Sequence, residues 1–181
     1  MKSFFSKDKR IDWKTILFWG FIIVYSIVLL YLCNKLNIWE DEGYTLNTTS
    51  NSLGKVIMQS YNFEGQPPLY FVVVKFWRFI NSGIFFARLS SLIFVGLSAV
   101  YFYKFVRLVS GIELSRWIVI LFLLNPFTVW AGLEIRLYSF VILISTVIVY
   151  QFFQFYLKNK NKNLYFFLLF CLAGIYTQYF F

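Results

Sequence analysis

The chain contains no histidine, two cysteines and three prolines in 181 residues, and only 14% of its residues are charged. Without histidine there is no Ser-His-Asp chemistry, no imidazole proton shuttle and no histidine-ligated metal. Cys33 and Cys171 lie far apart in separate apolar runs. They are too few for a disulfide framework or a thiolate cluster and read as buried apolar side chains. Acidic residues are scarce too, eight against 17 Lys and Arg, for a net charge of +9. In a soluble chain that excess would suggest nucleic acid. Here no basic tract carries interleaved aromatics, so no nucleic-acid partner is expected.

What is abundant is apolar surface: 60% of residues are hydrophobic and 24% aromatic. A soluble domain of this size needs far more polar surface, so the excess must face lipid. The expected fold class is all-α, a polytopic transmembrane helical bundle forming one domain, with about five spans at 15–33, 88–108, 115–132, 138–157 and 163–181. Each approaches the roughly 20 residues that cross a bilayer. The first, although preceded by basic residues, is too long for a signal peptide and lacks a small-residue cleavage site, so it is expected to stay.

A sixth apolar run, 69–80, is short and carries Lys75 and Arg78. As a helix it would reach roughly 18 Å, well under the roughly 30 Å hydrocarbon core. Its status follows from charge. Lys2, Lys7, Lys9, Arg10 and Lys14 outnumber Asp8 and Asp12, which places the N-terminus in the cytoplasm. If 69–80 spanned, the basic loops 104–116 and 158–162 would fall outside, whereas a non-spanning segment puts every basic loop inside. The first outer loop then holds Glu40, Asp41, Glu42 and Glu64, and two juxtamembrane interfacial helices, 44–61 and 67–80, joined at Gly65-Gln66-Pro67-Pro68. The expected location is a cell membrane. The abundance of Phe, Ile, Asn and Lys points to an AT-rich bacterial genome.

Candidate chemistry sits in the outer loops. Asp41-Glu42 follows the interface marker Trp39; such carboxylates can act as general base or hold a divalent cation, or can simply form a solvated loop. Glu134 and Arg136 lie between two spans, flanked by Trp130 and Tyr138, and ionisable groups at that depth either serve function or snorkel to the interface. Pro126 should break the helix before them, with Asn125 satisfying the freed backbone. Arg88 heads a span on the outer side, where a cation suits a phosphate, and Lys75 and Arg78 could do likewise or contact lipid headgroups.

Taken in order, Trp39-Glu40-Asp41-Glu42, Gln66-Pro67-Pro68-Leu69-Tyr70, Ala87-Arg88-Leu89-Ser90-Ser91-Leu92, Asn125-Pro126-Phe127 and Leu133-Glu134-Ile135-Arg136-Leu137-Tyr138 form a pattern. It resembles the C-superfamily membrane glycosyltransferases, in the branch of protein mannosyltransferases and the lipid A aminoarabinose and galacturonic acid transferases. The closing Tyr176-Thr177-Gln178-Tyr179 is similar to that branch as well. The resemblance implies a polyprenyl-phosphate sugar donor and inverting transfer to an acceptor hydroxyl on the non-cytoplasmic face, beside membrane lipid. It implies Asp41 as general base, Glu42 as its support or as a cation ligand with Asp41, and Glu134 lining the catalytic cavity. Arg88 would lie near the donor phosphate, with Arg136, Gln66, Lys75 and Tyr138 binding donor or substrate. The chain is shorter than members of that superfamily and reads as the N-terminal fragment of a longer enzyme. The alternatives are a membrane transporter, a lipid-binding module or an inactive fragment.

Overall fold

The computed structural model describes residues 13–159 and 161–181. The N-terminal basic tract that carried the topology argument, apart from Lys14, lies outside the described residues, as does Lys160. The described chain is helical and contains no strand. Its helices are α1 (Trp13–Lys35), α2 (Glu40–Ser50), α3 (Leu53–Asn62), α4 (Leu69–Ile80), α5 (Ile84–Ser110), α6 (Ile112–Leu124), α7 (Pro126–Leu133), α8 (Tyr138–Lys158) and α9 (Asn161–Ile175).

Three of these, α1, α5 and α8, are long and apolar enough to cross a membrane, and α6–α7 adds a fourth if the bent pair is one span. The bend is 60° at Asn125 and has a chemical cause. Pro126 brings no N–H, and the Phe127 N–H donates to the Asn125 side chain at 2.9 Å instead of continuing the ladder. That leaves the Leu123 carbonyl without its helical donor, and the Tyr25 hydroxyl of α1 supplies one at 2.8 Å.

Two expected elements differ. The single helix expected over 44–61 is two, with extended backbone at Asn51 and Ser52 between α2 and α3. Thr49, Ser50 and Asn51 turn their side chains onto the carbonyls of Thr45 and Asn47, a local alternative that competes with the helical ladder. The last expected span, 163–181, is helical only to Ile175. Beyond it the Thr177 and Gln178 N–H groups converge on the Gly174 carbonyl and turn the chain. The 15 residues of α9 reach about 22 Å.

Aromatic rings fill the seams between the long helices. Parallel α5 and α8 meet through Phe94–Phe140, Tyr101–Tyr150 and Phe105–Phe153, with centroids 4.9, 5.8 and 5.0 Å apart. Gly111, at φ +86°, makes the tight turn from α5 into α6, a conformation that a side chain would strain.

These seams sort the charges. Lys14 of α1 meets Glu113 of α6 at 2.8 Å, and the Lys104–Arg116 and α8–α9 tracts share that end of the bundle. Asp41, Glu42, Glu64 and Glu134 gather at the opposite, acidic end through contacts given below. Both ends of α4 are tied there too: the Leu69 N–H donates to the Tyr176 carbonyl at 3.0 Å and the Trp77 indole to the Phe86 carbonyl at 2.7 Å.

The bend yields a test. Tyr25→Phe keeps the ring and removes the donor to Leu123, and should cost on the order of 1 kcal/mol by unfolding in detergent. Unchanged stability would mean that the bend does not need α1.

Candidate functional site

At the acidic end α2 starts with three carboxylates in its first turn, Glu40, Asp41 and Glu42, where the helix dipole favours negative charge. Glu42 at the third position accepts the Trp39 backbone N–H at 3.1 Å, the return half of a capping box. Its other contacts lie deeper. Arg88 of α5 grips it with Nε–Oε1 at 2.9 Å and Nη2–Oε2 at 2.7 Å, and the Ile135 N–H reaches Oε1 at 3.0 Å. The remaining Arg88 donors go to the carbonyls of Cys33, Leu36 and Asn37, the open carbonyl end of α1. Both side chains are sealed, at 0% and 2% exposure.

This pair bears on three expectations. Arg88 spends every N–H within the chain, so it has none to offer a donor phosphate. Glu42 accepts four hydrogen bonds on its two oxygens, so it fits neither a catalytic carboxylate nor a cation ligand. Among the described residues no three His, Cys, Asp or Glu side chains cluster as metal ligands. Arg88 and Glu42 instead lock α1, α2, α5 and the α7–α8 loop together.

Asp41 and Arg136 face the other way. The Asp41 side chain is 60% exposed, and Arg136 Nη2 stands 3.9 Å from its Oδ2. Arg136 is oriented from behind by Glu64, at 3.0 Å, and by the Thr45 hydroxyl at 3.2 Å. Glu64 also accepts from Thr48 at 3.0 Å. Arg136 Nε is buried without a partner among the described residues, as are the Tyr70 hydroxyl, the Ser139 hydroxyl and Gln66 Oε1. Arg136 therefore keeps donor capacity that Arg88 lacks.

The other expected residues divide. Glu134 is buried; its carbonyl accepts from the Ser91 hydroxyl at 2.5 Å. Burial pushes its carboxyl up, as do the nearby Glu42 and Asp41 charges, while Trp130 and Arg136 oppose the shift. Tyr138 packs on Trp130 and Phe127 rather than standing free, with centroids 4.9 and 6.1 Å away. The Lys75 ammonium caps the Asn51 carbonyl at the α2–α3 break, and Arg78 reaches the Leu46 carbonyl at 2.7 Å. Both pin α4 to α2 instead of lining the face that carries Asp41. Glu64 and Thr45 were not singled out from sequence. The signal available for Glu64 was a carboxylate next to the Gly65-Gln66-Pro67-Pro68 turn, within reach of any cation there.

No protein family, no curated protein and no solved structure matches the chain.

Glu134 supplies a test with a definite sign. A carboxyl whose folded pKa is raised favours the fold while protonated and loses that contribution as pH rises through the folded value. Wild-type stability relative to Glu134→Gln should therefore fall as pH rises from near the unfolded carboxyl value of about 4.3 through the raised folded value. A flat or rising difference would show that Glu134 is not held in a desolvated site.

Proposed function

We propose that this chain carries the acceptor-activating face of a membrane glycosyltransferase that uses a polyprenyl-phosphate sugar on the non-cytoplasmic side. In this reading the chain crosses the bilayer with the basic end in the cytoplasm, and α2, α3 and α4 lie at the outer interface. The segregation of charge between the two ends supports that orientation, and the double attachment of α4 to the acidic end supports a non-spanning α4.

The observation that carries the reading is the open carboxylate of Asp41 with the Arg136 guanidinium 3.9 Å from it. Asp41 takes the proton of an acceptor hydroxyl. The hydroxyl oxygen bonds to the anomeric carbon from the face opposite the phosphate, and the carbon–oxygen bond to the phosphate breaks with its electron pair leaving on the lipid phosphate. The configuration inverts. The departing phosphate needs compensating charge more than a proton, and Arg136, with its unpartnered Nε, takes the part the sequence suggested for Arg88. Glu64 holds Arg136 in place, a positioning role. Glu134, kept from ionising easily, lowers the negative charge that the phosphate meets.

The test is sugar transfer from a polyprenyl-phosphate donor by the complete protein in vesicles. Asp41→Asn should lower turnover by about 10²–10⁴-fold and leave the unfolding temperature and donor retention unchanged. Equal turnover of the variant and the wild type would remove Asp41 from the chemistry.

A further inference from the structure

Away from this face, a groove of about 640 Å³ runs between α1, α5 and α6, within the roughly 300–1,000 Å³ of small-molecule sites. It exists because α1 is held loosely. Only Leu29 and Cys33 of that helix are buried, at its acidic end, and the Lys14–Glu113 contact holds the basic end. Between them α1 meets the bundle through partly buried Phe18, Phe21, Ile22 and Tyr25, and the groove opens beside these side chains.

The groove has two chemical zones. Its wall is hydrocarbon and ring, including Phe18, Ile22, Leu92, Val95, Val119 and Leu123. Two of the hydroxyls along it are spent internally, Tyr25 on the Leu123 carbonyl and Ser26 on the Ile22 carbonyl, both at 2.8 Å. At the basic end the lining closes with Lys104, Arg107 and Arg116, and among the described residues it includes no carboxylate. Lys104 and Arg107 are exposed, and Lys104 rests over the Tyr101 ring at 5.0 Å, a contact that uses no N–H donor. On α1 the lining runs from Thr15 to Leu30, about 22 Å of helix against roughly 15 Å for half of a hydrocarbon core.

An apolar trough of that length ending in cations matches an amphiphile with a chain and a negative head. Free phosphate would leave the wall unused, and a zwitterionic lipid brings its own cation to a rim where Lys104 and Arg107 are already exposed. Basic pockets between membrane helices on the cytoplasmic side are a known way of holding anionic headgroups. We propose that the groove binds one anionic glycerophospholipid from the leaflet at the basic end. Lys104 and Arg107 hold its phosphate with Arg116 at the rim, and one acyl chain lies between α1 and α5. This site is separate from the Asp41 face and stands whether or not the sugar-transfer reading does.

Gly96 of α5 gives a clean probe, since it lines the groove and a Cβ there would meet nothing within 4 Å. The complete protein is purified in detergent and titrated with phosphatidylglycerol or phosphatidylcholine, and retained lipid is counted by native mass spectrometry. The expected result is one phosphatidylglycerol per chain, retained at least about tenfold more tightly than phosphatidylcholine (about 1.4 kcal/mol). Gly96→Trp should abolish retention, and Lys104→Gln with Arg107→Gln, at exposed positions, should erase the preference between the two lipids. The proposal is overturned by equal retention of both lipids by the wild type, or by retention that survives both variants. It is overturned as well if polyprenyl monophosphate displaces equimolar phosphatidylglycerol, or if Gly96→Cys cross-links to a second copy.

Discussion

The arrangement of the acidic end depends on one buried ion pair. Glu42 and Arg88 saturate each other and the backbone groups around them, and together they reach four segments: the end of α1, the start of α2, α5, and the α7–α8 loop. A buried pair does not stabilise by its attraction alone, because desolvation offsets much of that gain. Its effect here is on register. Three carbonyls at the end of α1 would otherwise lack donors, and the guanidinium can meet all three only if α1, α2 and α5 stand where they do.

The pair also decides which neighbours are free. Consecutive helical residues point about 100° apart, so with Glu42 drawn inward, Asp41 is turned outward. Likewise the Ile135 N–H is fixed on Glu42, which brings Arg136, the next residue, beside Asp41. The reactive pairing is thus a consequence of the sealed one. Glu64 then holds the Arg136 guanidinium by one of its terminal nitrogens. The basic end works differently: Lys104 and Arg107 are exposed there, and they border the groove beside α1. One end of the molecule is rigid and polar, the other open and apolar with a charged rim.

Much of this was legible in the sequence. Hydrocarbon-length apolar runs gave α1, α5 and α8 to within a few residues, and Pro126 marked the 60° bend. Charge placement singled out α4 as different in kind. Asp41, Arg88, Glu134 and Arg136 do meet at one end. What was not legible was the direction of each side chain. Arg88 and Arg136 look alike in sequence; only the fold shows that Arg88 meets the carbonyl end of α1 and Glu42, while Arg136 keeps a free Nε. The split between α2 and α3 was hidden because hydroxyl and amide side chains tolerate both a helix and a break, and tertiary contacts such as Lys75 on the Asn51 carbonyl decide between them. Glu64 was hidden because its partner lies 72 residues away.

The claim on which the rest stands is that Glu42 and Arg88 act as one structural unit. The direct measurement is a double-mutant cycle on unfolding stability in detergent with Glu42→Ala, Arg88→Ala and the pair. Each single change should cost about 3–5 kcal/mol, because it strands a buried charge, and the double variant should cost no more than the worse single. Losses that simply add would contradict the account, since Glu42 and Arg88 would then be acting independently and nothing would force Asp41 outward toward Arg136.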